Sequence, residues 1–156
     1  MDLLNDPFQA KLQKLCAGVG GVLHFARVKS EQRALEKMYR SYGGNWRKLC
    51  DVVRTSILFE DPMGLAAGLR AIAGDPEVTI IRVGDEKMRF RKSDDAKATG
   101  GYRDIQLCVM LNNEETRKRG VETMLCEVQL HLEAFCRLKL EGGHSTYITS
   151  RNLRGQ

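Results

Sequence analysis

Four short segments carry residue types that phosphoryl chemistry uses. They are Ala26-Arg27-Val28-Lys29 ahead of a stretch bearing Lys37, Asp51 near the head of an apolar run, Gly100-Gly101-Tyr102 at the head of another, and Glu127 inside a third. Phosphoryl transfer from a nucleotide calls for carboxylates that hold Mg²⁺, because the ion bridges phosphate oxygens and offsets charge that builds during transfer. It also calls for cations along the phosphate chain and a flat surface for each base. Asp51 and Glu127 sit in CDVVRTSI and MLCEVQLHL, where an isolated carboxylate is costly to bury and needs a metal or an Arg partner. A plainer reading is open on the same residues: Asp51 caps or salt-bridges at a strand start, and Glu127 faces outward from a half-buried edge strand. Alternation puts Leu125, Glu127, Gln129 and His131 on one face of that strand and Cys126, Val128 and Leu130 on the other.

Arg27, Lys29, Arg33 and Lys37 form a basic series entering and following a helix start, with Arg33 and Lys37 four apart and so on one face. Backbone N–H groups and the helix dipole add to such side chains as a phosphate site, while a solvated basic face gives the same pattern. Tyr102 follows two glycines that let a ligand approach the backbone. Its ring either stacks on a base or anchors the core.

These residues need elements to hold them. Asp6-Pro7 reads as the cap and first position of a helix that buries Phe8, Leu12, Leu15 and Cys16 and stops at Gly18, Gly20 and Gly21. Residues 22–28 are short and apolar enough for a strand or extended link, Ser30 caps a second helix to about Ser41, and residues 45–49 can add one turn. The β-branched run 50–59 predicts a strand, Asp61-Pro62 starts a helix that ends at Gly74-Asp75-Pro76, and residues 78–83 predict the next strand. Residues 84–101 read as a mobile loop with a short strand around Met88 to Phe90. Strands over 102–111 and 124–130 follow, joined by polar NNEETRKRGVE, and a helix from about Leu132 to Leu140 closes the series. This order predicts an α/β or α+β domain with a mixed sheet of four or five strands flanked by helices.

Composition sets the outer bounds. With 156 residues, 42% of them hydrophobic, one core and a single domain over 1–156 are expected. No run nears the roughly 18 apolar residues of a membrane span, and MDLLNDPFQAKLQK has no basic region followed by an apolar stretch. A cytoplasmic protein without a membrane partner is the expectation. Cys16, Cys50, Cys108, Cys126 and Cys136 share no CxxC spacing and read as reduced core thiols, and His24, His131 and His144 form no zinc signature. The net charge of +5 suits a phosphorylated small molecule or a nucleic acid, or an ordinary solvated surface.

With these segments in this order, the chain resembles the synthetase domain of the RelA/SpoT family from about residue 22 to residue 140. Ala26-Arg27-Val28-Lys29 resembles the family's Arg-x-Lys segment and Leu35-Glu36-Lys37-Met38 its basic helix residue. Leu49-Cys50-Asp51-Val52 is similar to the stretch with the metal-binding Asp. The run from Lys97 to Gln106 resembles the loop and Gly-Tyr-x-Ser-x-His motif, and Cys126-Glu127-Val128-Gln129-Leu130-His131 resembles Glu-Ile-Gln-Ile-Arg-Thr. Departures are Asp104 and Gln106 in place of Ser and His, His131 in place of Arg, Arg54 at a position usually small, and Ser56 where the family has Arg.

The resemblance implies a nucleotidyltransferase-like fold and a Mg²⁺-dependent transfer of pyrophosphate from ATP to the 3′-hydroxyl of a guanine nucleotide. Asp51 and Glu127 would be the catalytic and metal residues, with Glu127 assisting deprotonation of the hydroxyl. Arg27, Lys29 and Lys37 would bind the donor, and Tyr102, Lys97 and Gln129 the acceptor. The departures leave room for two alternatives: a catalytically silent nucleotide-binding or interaction module of a longer protein, and transfer to a tRNA 3′ end through the basic Arg117-Lys118-Arg119 segment, which otherwise reads as a solvated hairpin. Homo-oligomerisation and flanking domains are both compatible with the chain.

Overall fold

The first helix owes its length to a stripe of large apolar side chains. Leu4, Phe8, Leu12 and Cys16 recur every fourth residue and are all essentially inaccessible to solvent, which places them on one helical face. A computed structural model describes residues 2–91 and 103–138, with the backbone alone described at 2, 84–87 and 137–138. Its first helix, α1, spans Asp2–Ala17 and contains Pro7 internally. The expectation that Asp6 caps this helix is therefore wrong. Burial of Leu4 draws the preceding residues into the helix and outweighs the backbone hydrogen bond that Pro7 cannot donate.

Strand β1 (Val22–Phe25) leads to α2 (Glu31–Tyr42), capped by Ser30. Gly43 ends α2 at φ 57°, a left-handed conformation that favours glycine, and its N–H bonds the Met38 carbonyl. A 3₁₀ turn over Trp46–Lys48 precedes β2 (Val53–Phe59). Asp51 thus lies just ahead of the strand rather than in it. Asp61 caps α3 (Pro62–Gly74), its carboxylate accepting from the Gly64 N–H at 2.8 Å. Strand β3 runs over Val78–Met88, so residues 84–87, expected as loop, belong to a strand instead. Its place at the sheet edge tolerates the charged Gly-Asp-Glu-Lys sequence. Strand β4 (Ile105–Leu111) begins three residues later than expected, and β5 (Leu125–Leu132) leads into α5 (Glu133–Leu138).

The polar segment joins the antiparallel neighbours β4 and β5, as expected of a hairpin, but is longer than a bare turn. It contains α4 (Glu114–Lys118), fixed by reciprocal hydrogen bonds between Asn113 and Thr116.

The sheet order is β1-β2-β5-β4-β3, with β2 and β5 parallel and the other neighbours antiparallel. One face is apolar: Val53, Ile57 and Phe59 of β2, Cys126, Val128 and Leu130 of β5, and Leu107, Val109 and Leu111 of β4 form a core with the α1 stripe and with Leu65 and Ile72 of α3. Gly68 is required there, because a Cβ at that position would lie 2.3 Å from Cζ of Phe59. The opposite face is polar across four strands. Arg54, Glu127, Cys108 and Arg82 stand side by side on β2, β5, β4 and β3. This is the five-stranded mixed sheet flanked by helices that the pattern of elements predicts.

Candidate active site

Three chain segments converge at Asp51. The Lys29 N–H bonds the Val52 carbonyl at 3.0 Å, extending the β1–β2 pairing and laying Lys29 beside the residue before β2. Ser30 then turns the chain into α2, which brings Lys37 to the same place. The Lys29 and Lys37 ammonium groups both donate to Oδ2 of Asp51, Lys37 at 2.6 Å. Lys37 also lies 5.6 Å from the centre of the Tyr42 ring. The Asp51 side chain is only 7% exposed, yet its other oxygen, Oδ1, is buried with no hydrogen-bond partner among the described residues. An orphaned carboxylate oxygen in a buried position marks a place where a further cation fits.

The electrostatics follow from this crowding. Burial by itself would raise the Asp51 carboxyl, but the hydrogen bonds and charges of Lys29 and Lys37 outweigh it and hold the carboxyl below its ordinary range. Burial also lowers Lys29, and although Asp51 opposes this, the positive charges of Lys37 and Arg54 leave Lys29 below the usual lysine value. Lys37 feels the same burial. Its hydrogen bond and charge interaction with Asp51, helped by Tyr42 and Glu127, leave it raised.

Glu127 projects from β5 onto the polar face beside this cluster, near enough for its charge to act on Lys37. Both Glu127 and Asp51 act on the Cys50 thiol, so the two carboxylates share one neighbourhood. Gln129, two residues along the same face, donates from Nε2 to Oε1 of Glu127 at 2.6 Å, and the Ser56 hydroxyl is 3.5 Å from Oε1 of Gln129. Cys108 draws the Cys50 thiol down to about 7, against burial and the two carboxylates, while Arg82 approaches the Cys50 sulfur at 3.9 Å.

The structure therefore brings together Lys29, Lys37, Asp51, Glu127 and Gln129. Arg27 is exposed and makes no contact with a named partner among the described residues. Tyr102 and Lys97 lie outside the described residues. Arg54 and Arg82 flank Glu127 and Cys108 on the polar face, and sequence reasoning gave Arg82 no role. The signal that could have found it is the pairing of a charged edge strand with β4, which only the register reveals. The cysteines divide: Cys16 and Cys126 lie in the core as expected, Cys108 is buried on the polar face opposite Glu127, and Cys50 and Cys136 are half-buried. Arg117, Lys118 and Arg119 are not a free basic patch. Lys118 pairs with Glu114 at 2.7 Å, Arg119 pairs with Glu115, and Arg117 donates to Asn112 at 2.7 Å.

Asp104 and Gln106, the departures from the tyrosine motif, form a second buried cluster. Arg89 donates to Oδ1 of Asp104, and Gln106 donates to Oδ2 at 2.8 Å. Arg103 donates to the Arg89 carbonyl at 2.6 Å and so closes the group.

The mixed sheet, with its parallel central pair and helices on the core face, is similar to the fold of solved alarmone synthetases. No family model and no curated protein sequence matches the chain. Solved structures do. The chain is similar to small alarmone synthetase 1 from Bacillus subtilis bound to its product pppGpp, at 18% identity and a TM-score of 0.69, over 97% of this chain and 80% of that one. It is similar to a GTP pyrophosphokinase family protein from Streptococcus pneumoniae, at 19% identity and a TM-score of 0.67, over 92% and 70%. Small alarmone synthetase 1 from Bacillus subtilis bound to AMPCPP aligns at 13% identity and a TM-score of 0.57, over 96% and 89%. Among the described residues, no helix is long and apolar enough to cross a membrane.

Proposed function

We propose that this chain is a single-domain, cytoplasmic nucleotide pyrophosphokinase that transfers pyrophosphate from ATP to the 3′-hydroxyl of a guanine nucleotide. The observation that carries this reading is the Asp51 carboxylate, with one oxygen held by Lys29 and Lys37 and the other buried without a partner among the described residues, beside Glu127. Small alarmone synthetase 1 from Bacillus subtilis, of similar fold, is bound to pppGpp and to AMPCPP in solved structures, which supports nucleotides as ligands here.

The donor set fits Mg²⁺. Among the described residues no cluster of three or more His, Cys, Asp and Glu side chains is assembled, and a Mg²⁺ site built on two carboxylates, completed by phosphate oxygens and water, is the usual arrangement in phosphoryl transfer. Asp51, through Oδ1, and Glu127 would hold the ion, which when bound neutralises phosphate charge. Lys29 and Lys37 would take the donor triphosphate, exchanging Asp51 for phosphate oxygens as hydrogen-bond acceptors, with the exposed Arg27 adding a third cation. Glu127, oriented by Gln129, would accept the proton of the attacking 3′-hydroxyl. Tyr102 would stack on the acceptor base, with Lys97 and Gln129 also on the acceptor side. The resemblance of the motif supports those acceptor assignments.

A second reading is favoured by the Arg89–Asp104–Gln106 cluster, in which the two departures from the tyrosine motif bond to each other and to Arg89. On that reading the chain binds nucleotides without transferring pyrophosphate. One experiment separates the two: purified protein with labelled ATP, Mg²⁺ and GDP or GTP, alongside Asp51→Asn. A pyrophosphorylated guanine nucleotide made by wild type and lost in the variant supports transfer. Binding of AMPCPP with no product supports the silent module.

A further inference from the structure

Arg54 is anchored from one face of the sheet and left open on the other. In β2, Val53, Thr55, Ile57 and Phe59 are buried, and Arg54 alternates with them on the polar face. From the α1 side, Nε2 of the buried Gln9 donates to the Arg54 carbonyl at 2.9 Å and fixes its backbone. The parallel pairing of β2 with β5 sets Arg54 directly beside Glu127, one strand spacing of about 4.8 Å away.

The other cations of this face are already engaged. Lys29 and Lys37 both donate to Asp51, and Arg82 approaches the Cys50 sulfur. The Arg54 guanidinium, half-buried, makes no hydrogen bond or ion pair among the described residues, while Oε1 of its neighbour Glu127 accepts from Gln129. Its charge is felt at Lys29, which burial, Lys37 and Arg54 lower against the pull of Asp51. Lys29, Lys37 and Arg54 outnumber Asp51 and Glu127, so this part of the face suits an anion. A planar guanidinium without an acceptor of its own fits two oxygens of a phosphate.

We infer that Arg54 is a further catalytic residue of the proposed transfer, its guanidinium bridging two oxygens of the phosphoryl group under attack. The role rests on the pyrophosphokinase reading above. In that reaction the 3′-oxygen forms a bond to the β-phosphorus of ATP as the bond from that phosphorus to the α–β bridging oxygen breaks. The hydroxyl proton passes to Glu127, and AMP leaves with the electron pair of the broken bond. The oxygen that gives its proton to Glu127 is the one that reaches the phosphorus, so the reacting group lies beside Glu127, within the span of an Arg side chain on the adjacent strand. Lys29 and Lys37 must release Asp51 before they can bind phosphate, whereas Arg54 has no partner to give up. Charge that builds on the phosphoryl oxygens therefore meets a donor already in place. Arg54 acts on the transition state more than on donor binding.

The test uses the whole chain as wild type, Arg54→Met and Arg54→Lys. AMPCPP affinity is read by calorimetry, Tm by thermal denaturation, and kcat with labelled ATP at saturating ATP, GDP and Mg²⁺. Arg54→Met is expected to lower kcat on the order of 100-fold, with AMPCPP affinity changed by less than about threefold and Tm kept. Arg54→Lys keeps the charge without the planar fork and should recover only part of the loss. Equal kcat in wild type and Arg54→Met overturns the role. A fall in AMPCPP affinity as large as the fall in kcat overturns it too, because Arg54 would then bind the donor alone. If Arg54→Met does not fold, Arg54→Lys decides: lowered kcat with affinity and Tm kept supports the role, and unchanged kcat overturns it. No product from wild type overturns the transfer reading and the role of Arg54 together.

Discussion

Two buried aspartates in this molecule are handled in opposite ways. Asp104 is fully buried, and each oxygen has its own donor: Arg89 on Oδ1 and Gln106 on Oδ2. Asp51 is nearly as buried, but its donors among the described residues, Lys29 and Lys37, both crowd onto Oδ2 and leave Oδ1 with none. A planar guanidinium and an amide close the first site. Two flexible ammonium groups leave the second open. Satisfied buried charge serves structure, whereas an unsatisfied carboxylate oxygen held among lysines is poised to take a ligand.

The sharpest way to break this contrast is to remove each carboxylate in turn. Asp104→Ala leaves Arg89 and Gln106 without their acceptor and is expected to destabilise the fold by about 3–5 kcal/mol, measured by urea denaturation. Asp51→Asn should instead reduce pyrophosphate transfer by on the order of 100-fold, while Tm shifts by far less than in Asp104→Ala. If the two variants lose stability equally, Asp51 belongs to structure as Asp104 does. A step smaller, Lys37→Met removes one ammonium from Oδ2, and AMPCPP affinity is expected to fall roughly tenfold, read by calorimetry.

The smallest effect is in the acid limb. The Asp51 carboxyl lies below its ordinary value in the folded protein, so its contribution to stability is complete above the unfolded value of about 3.9. That contribution is lost as pH falls through the lower folded value. Denaturation midpoints should therefore drop less steeply below about pH 4 in Asp51→Asn than in wild type. Equal slopes would show that the lysine contacts do not hold the carboxylate ionised.

Much of this contrast was already legible in the residues. The cost of a carboxylate in CDVVRTSI pointed to Asp51, and the spacing of Lys29 and Lys37 about the α2 start pointed to a phosphate site; the structure joins all three. A metal or an Arg partner was expected for Asp51, and the side chains paired with it are two lysines, because the extended segment after β1 and the first turns of α2 both end at the same carboxylate. Local signals worked where a cap is decisive, as at Ser30 and Asp61. They failed where tertiary packing decides. Leu4 pulls α1 past Pro7, and pairing of Met88 with Ile105 makes a strand of a charged segment that alternation alone reads as loop. Cross-strand rows were invisible for the same reason. Nothing in the sequence sets Arg82, Cys108, Glu127 and Arg54 side by side, since register joins residues far apart in the chain.

The central claim is that Asp51 and Glu127 together hold a divalent ion at a nucleotide site. Titration of Mn²⁺ into protein with AMPCPP, followed by the resonance of free Mn²⁺, tests it most directly. Wild type is expected to remove Mn²⁺ beyond what AMPCPP alone binds, with one extra-tight site lost in both Asp51→Asn and Glu127→Gln and kept in Asp104→Asn. Mn²⁺ uptake that is the same in wild type, Asp51→Asn and Glu127→Gln would contradict the account.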